Sequence, residues 1–192
     1  MTRITPLFCA LVFTTTLATP LLPTHVQGEG FSGPVTGILD GDTIEVLNEH
    51  HADRIRLSGI DCPEKGQAYG KIAKQATSAL VFGKEVTLLT HGKDKYGRTL
   101  ADVVLKDGTN VNHMLVRAGW CWWYRKYAPG DTELERLEAE ARGAKKGLWA
   151  DPAPFPPWDY RKARRGHALN LSEVEPLGIR KSWGSYAKPD NP

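Results

Sequence analysis

Three short stretches of the chain carry charged residues at spacings that suit phosphate chemistry. In LDGDT, Asp40 and Asp42 flank Gly41; in RLSGIDCPE, Arg56 is followed by Asp61, Cys62 and Glu64; DKYGR runs from Asp94 through Lys95 and Tyr96 to Arg98. Each has an ordinary structural explanation when taken singly. Asp-Gly is a hairpin-turn signal, Pro63 and Glu64 suit the first turn of a helix, and DKYGR reads as a polar turn with an exposed arginine. Taken together they supply more. Asp42 and Asp61, on different segments, are hard oxygen donors for a cation such as Ca²⁺, with carbonyls and water completing its shell. Arg56 and Arg98 offer planar donor forks to a phosphate and offset charge that builds as it reacts. Glu64 is a carboxylate that orients or deprotonates a water. A cation, two guanidiniums and a carboxylate are the parts that phosphodiester hydrolysis needs.

The surrounding pattern predicts the elements that carry these residues. PVTGILDGDTIEVLN reads as two strands broken at Asp-Gly. RIRLS is a third strand, with Ile55 and Leu57 on one face and Arg56 on the other. If the first two face a core, Arg56 points outward to a surface site. Apolar positions 68, 72, 76 and 79–80 predict a helix stopping near Gly83. EVTLLT and RTLADVVLKDG are two further strands around HGKDKYG. NVNHMLVRAG is a short helix, and DTELERLEAEARGAKKG a longer one. For the longer helix, Thr132 and Glu135 suggest a capping box, Leu134, Leu137, Ala141 and Ala144 form the apolar stripe, and Gly147 marks the end. The Pro-rich DPAPFPPWDY reads as a surface run. Five strands with interspersed helices indicate a small α+β domain built on a curled sheet.

Composition sets the limits. The first 28 residues carry one charge, Arg3, and an apolar run too short and Pro-interrupted for a membrane span, which predicts a signal peptide cleaved after Ala18 or Gly28. The expected organisation is signal peptide 1–28, catalytic domain 29–160 and a basic tail 161–192 with few core-forming patterns. Residues 29–160 hold 17 basic and 19 acidic groups, and residues 161–192 seven and three. The body is therefore not globally basic, and nucleic-acid binding must rest on local constellations. Cys62 and Cys121 remain after signal removal, without a C-x-x-C, so zinc and thioredoxin-like chemistry are disfavoured. Export permits one disulfide between them, provided that the Trp-rich segment packs beside the second motif. The run Trp120, Trp122, Trp123 suits core packing better than base stacking.

ILDGDTIEV, RIRLSGIDCPE and DKYGRTLADVVLKDG…VNHMLVRAGW resemble, in order and approximate spacing, the motifs of the staphylococcal nuclease (thermonuclease) family over roughly residues 33–150. The resemblance implies an OB-fold, a five-stranded barrel with three helices. It implies a Ca²⁺-dependent enzyme that cleaves DNA and RNA to leave 3′-phosphate ends, exported to the periplasm or medium. A monomer without membrane attachment after signal cleavage is expected. It places metal ligands at Asp42, Asp61 and the backbone oxygen of Cys62, with Asp40 as a further acidic group nearby. It places catalytic roles at Arg56, Glu64 and Arg98, and substrate contacts at Lys95 and Tyr96, with Tyr124 and Tyr127 as candidate pocket aromatics. Cys62 stands where the familiar nuclease has Thr; if only its carbonyl binds metal, Cys62→Thr should be tolerated. The rival reading from another class is a binding module on the same fold, against which the retained Asp42, Arg56, Asp61, Glu64 and Arg98 argue.

Overall fold

A computed structural model describes residues 30–165. The expected signal peptide 1–28, and the expected tail beyond residue 165, lie outside the described residues. Strands β1 (Phe31–Asp40), β2 (Thr43–Asn48), β3 (His51–Leu57), β5 (Glu85–Lys93) and β6 (Thr99–Leu105) close into a barrel in the order β1-β2-β3-β6-β5. The pairings are antiparallel except for β3 with β6, which run parallel. Successive strand residues face opposite sides. Val35, Ile44, Val46, Ile55, Leu57, Val86, Leu88, Ala101 and Val103 accordingly fill the interior. This is the OB-fold expected above.

Among the described residues four helices surround the barrel: α1 (Gly70–Val81), α2 (Val111–Arg117), α3 (Thr132–Gly143) and α4 (Pro157–Arg164), with a 3₁₀ turn at Gly147–Ala150. The first three match the expected helices, with two changes of detail. In α1 the buried face is Gly70, Ala73, Thr77 and Val81, while Ile72 is exposed. Small residues win this face because the helix lies close against the β1–β2 turn, where the Thr77 hydroxyl donates to the Gly41 carbonyl at 2.5 Å. In α3 the cap is Asp131, whose side chain accepts from the Leu134 amide, and the helix ends before Ala144, which is exposed. The fourth helix replaces part of the expected surface run. Pro157 starts it where a missing N–H costs nothing, and it runs on through Arg161 to Arg164.

A two-stranded ribbon stands beside the barrel. β4 (Ile60–Asp61) pairs antiparallel with β7 (Trp122–Trp123), Ile60 opposite Trp123 and Asp61 opposite Trp122. Cys62 and Cys121 are the next pair in that register and form a disulfide. The tryptophans are packing residues. Trp122 and Trp123 are buried, and Trp122 meets the edges of Trp149 and Trp158 with centroids 4.3 and 5.4 Å apart. Among the described residues no helix is long and apolar enough to cross a membrane.

The disulfide spans 59 residues, so loop entropy assigns it about 4 kcal/mol of stability. Cys62→Thr is therefore not the neutral change the carbonyl argument suggested, because it breaks this bridge. Cys121→Ser, or reduction of the wild type, should lower the melting temperature by roughly 10 °C, measured by circular dichroism with and without reductant.

Candidate active site

Asp42 and Thr43 begin at the β1–β2 turn, and Gly41 is required there for space. A Cβ on Gly41 would lie 2.8 Å from the Cys62 Cβ and 3.0 Å from that of Ala73. The glycine thus lets the turn press against the Cys62 segment, and its φ is not positive. This brings the Asp42 carboxylate to the Cys62 amide, which donates to Oδ2 at 2.8 Å. Asp42 and Asp61, far apart in sequence, become neighbours through this contact.

Arg56 joins them. It leaves β3 on the face away from the barrel core, as alternation requires. It is not an open surface group, however: its side chain is only 11% exposed. Its Nη1 donates to the carbonyls of Leu57 and Ile60 at 2.8 and 2.9 Å. Its Nη2 lies 2.9 Å from Asp61 Oδ1 and 3.1 Å from Asp42 Oδ2. The loop after β3 folds back over the guanidinium and fixes its direction.

Arg98 arrives from the β5–β6 turn. Asp94 organises that turn, accepting from the amides of Tyr96 and Arg98 at 2.8 and 3.0 Å and from Arg98 Nε at 2.8 Å. Arg98 Nη1 then reaches Thr43 Oγ1 at 3.3 Å, and that hydroxyl donates to Asp42 Oδ1 at 3.1 Å. Thr43 links the second arginine to the carboxylates, a role not foreseen from sequence. Lys95 and Tyr96 sit at the exposed tip of the turn, where the Lys95 ammonium and the Arg98 guanidinium lie 5.0 and 5.5 Å from the Tyr96 ring centre.

Glu64 lies in the loop between β4 and α1. Gln67 holds that loop by accepting from the Glu64 amide and donating to the Phe155 carbonyl at 2.7 Å. Gly70 permits the tight return, since a Cβ there would fall 2.1 Å from the Glu64 carbonyl oxygen. A cation unforeseen from sequence completes the cluster. Arg161 of α4 forks onto both oxygens of Asp61, at 3.1 and 2.6 Å, and also donates to Glu64 Oε1. Its only sequence signal is the i, i+3 spacing from Trp158. Trp158 anchors α4 on Trp122 and stacks on Tyr124 at 5.3 Å. One face of the Tyr124 ring is therefore already covered, whereas Tyr127, edge-on to it at 4.9 Å, is exposed.

The electrostatics follow from burial. Asp61 is fully buried, and burial pushes its carboxyl above the ordinary range, against the pull of Arg161 and Arg56. Asp40 is also pushed up, first by burial and then by the charges of Asp42 and Glu64. Burial works against the charge of Arg161, but its bonds to Asp61 and Glu64 hold it firmly protonated. Burial is thus the main force that works against charge on these carboxylates, and the arginines oppose it at Asp61.

Residues 54–151 match the sequence pattern of the family described as Staphylococcal nuclease homologue. The chain belongs to this family. Its membership makes it a nuclease hydrolase. Relatives agree along most of their length. A protein described as an uncharacterized endonuclease from Escherichia coli O157:H7 is 49% identical over 129 residues, covering 67% of this chain and 84% of the relative. A micrococcal nuclease from Shigella flexneri is 42% identical over 144 residues, 70% of this chain and 83% of the relative. A further uncharacterized endonuclease, from Haemophilus influenzae, is 41% identical over 133 residues, 68% and 73%. The matched family segment includes Arg56, Asp61, Glu64 and Arg98, whereas Asp40, Asp42 and Arg161 lie outside it.

The donor set fits a hard cation. Asp42 and Asp61 are oxygen donors brought together by the Cys62 amide contact. The Cys62 sulfur is committed to the disulfide, so it offers neither a soft ligand nor a nucleophile, and its backbone oxygen is what it has to give. Among the described residues no three carboxylate, imidazole or thiol side chains form a metal shell by themselves; carbonyl and water oxygens must contribute.

Asp94 provides a test of the Arg98 geometry. Burial raises its pKa, but the bonds from Arg98 and the turn amides outweigh this and hold it below the ordinary value of 3.8. The stabilisation is therefore full above pH 3.8 and is lost as pH falls through the lowered native value. Asp94→Asn should cost about 1 kcal/mol at neutral pH, with the gap to wild type closing in acid, as read by urea denaturation at both pH values.

Proposed function

We propose that this nuclease is a Ca²⁺-dependent phosphodiesterase that cleaves DNA and RNA, leaves 3′-phosphate ends, and works as an exported monomer. The observation that carries the reading is the convergence of Asp42, Asp61, Arg56 and, through Thr43, Arg98 on one face of the barrel, with Glu64 beside them. Asp42, Asp61 and the Cys62 carbonyl would hold the Ca²⁺, which supplies Lewis-acid stabilisation of the phosphate when bound. Arg56, fixed by two carbonyls, presents its fork in one direction only. Arg98, fixed by Asp94, comes from the β5–β6 turn and meets the same carboxylates through Thr43. The pair brackets a phosphate and meets the negative charge that grows on its oxygens. Glu64 accepts a hydrogen bond from a water and aims its oxygen at phosphorus. The water oxygen bonds to phosphorus as one of its protons passes to Glu64, the P–O5′ bond breaks, and the 5′-oxygen takes a proton from solvent, to which Glu64 then releases its own. Lys95 and Tyr96 at the turn tip, and Tyr127 on the far side, suit contacts to the sugar and neighbouring phosphate. Such contacts read little base sequence. The apolar leader and the disulfide support export.

The test uses the purified mature chain on DNA and on RNA. Cleavage should require Ca²⁺ and stop with chelator, and the products should gain a labelable 3′-hydroxyl after phosphatase. Glu64→Ala and Arg98→Ala should each lower kcat by about 100-fold or more. Chelator-resistant cleavage would refute the metal requirement, and full activity in both variants would refute the residue roles.

A further inference from the structure

Arg56 and Arg161 both touch Asp61, but they are held differently. Arg56 is anchored by the Leu57 and Ile60 carbonyls as well as by carboxylates. Arg161 bonds to Asp61 and Glu64, and every described bond of its guanidinium goes to a carboxylate. The helix behind it does not depend on those bonds. Trp158 is wedged against Trp122 and Tyr124, Tyr160 is buried, and the preceding segment is tied through the Phe155 carbonyl to Gln67. α4 is therefore a fixed mount, and the Arg161 side chain is a charge extended from it. Beside the guanidinium lies an open pocket of about 260 Å³, lined by Glu64, Tyr160, Arg161, Arg164 and Arg165. The side chain has room there to withdraw.

We propose that Arg161 is an internal counter-ion that occupies the cation site of the metal-free enzyme and is displaced when the divalent ion binds. This rests on the Ca²⁺ reading above. A fully buried carboxylate is costly to hold charged; Arg56 reaches only its Oδ1, and Arg161 supplies a two-pronged partner to both oxygens. A dication seeking the same oxygens meets that fork on both of them. Two cations on one carboxylate repel strongly where water is excluded. Arg56 cannot yield, because backbone carbonyls hold it; Arg161 can, because the carboxylates that bind it are those the ion engages or perturbs. The exchange has a second consequence. Arg161 grips Glu64, so its departure frees that carboxylate for water at the moment the metal is in place. Arg161 is thus a positioning residue that couples loading of the site to release of Glu64, and its withdrawal carries it toward Arg164 and Arg165, a pocket whose charge suits a substrate phosphate.

The experiment is calorimetric titration of Ca²⁺ into chelator-stripped wild type, Arg161→Gln and Arg161→Lys, with melting temperatures in chelator and in saturating Ca²⁺. Arg161→Gln should bind Ca²⁺ roughly tenfold more tightly than wild type, with Arg161→Lys closer to wild type. It should melt lower than wild type in chelator and match it in Ca²⁺. Equal or weaker Ca²⁺ binding by Arg161→Gln would overturn the counter-ion proposal while leaving the Ca²⁺ reading intact. Absence of Ca²⁺ binding in every protein would overturn both. Should Arg161→Gln fail to fold, phenylglyoxal labelling of the wild type, read by mass spectrometry, decides the matter. Arg161 labelling should rise several-fold on adding Ca²⁺, and unchanged labelling would overturn the proposal.

Discussion

The architecture of this site turns on one buried charge. Asp61 has no exposed surface, and ionising a carboxylate there is costly without partners. Every feature around it supplies one or holds one in place. Arg56 approaches from β3, Arg161 from α4, and the β4–β7 ribbon holds the Asp61 backbone opposite Trp122. Ion pairs of this kind are weak evidence for stability, since apolar residues of similar size often serve as well. A cluster of four carboxylates with Arg56, Arg161 and, through Thr43, Arg98, beside an apolar barrel, is better explained by chemistry than by folding.

The barrel's part is to hold chain segments that sequence keeps apart. The β1–β2 turn delivers Asp42, the end of β3 delivers Arg56, and the β5–β6 turn delivers Arg98. Helices lock the first two from behind. Thr77 of α1 holds the Gly41 carbonyl, and Asn112 of α2 donates to the Ser58 carbonyl at 2.9 Å while accepting from the Val103 amide. The disulfide pins the segment next to Asp61 to the Trp-rich ribbon, which in turn seats α4. A change at Cys121 or Trp158 is thus transmitted to the carboxylates without touching them.

Much of this was legible in the sequence, for identifiable reasons. The barrel strands alternate because one face is buried, so Ile55 and Leu57 declared their side and Arg56 the other. The charged motifs were visible because no core residue substitutes for a carboxylate or a guanidinium. Where the reading slipped, a neighbour in space had overruled a local rule. The apolar stripe expected for α1 holds at Ala76 and Leu80, which pack against the core, but not at Ile72, because close approach to Gly41 favours Ala73 and Thr77. The cap of α3 moved to Asp131, since the first residue that can accept from the helix amides takes the role. Arg56 proved covered because the loop after β3 folds back over it, a matter of chain path that alternation does not encode.

Sequence by itself determined the fold class, the family and the chemical types available to the site, because these depend on local periodicity and on side-chain identity. Tertiary structure alone decided which charges meet. The pairing of Cys62 with Cys121 follows from the register of β4 against β7, and the link from Arg98 to Asp42 runs through the Thr43 hydroxyl. Arg161 reaches Asp61 across a separation of 100 residues. Electrostatic attraction acts over a few ångströms of space whatever the distance along the chain, so no motif could announce that a basic residue near the end of the domain would settle on the carboxylates of its second motif.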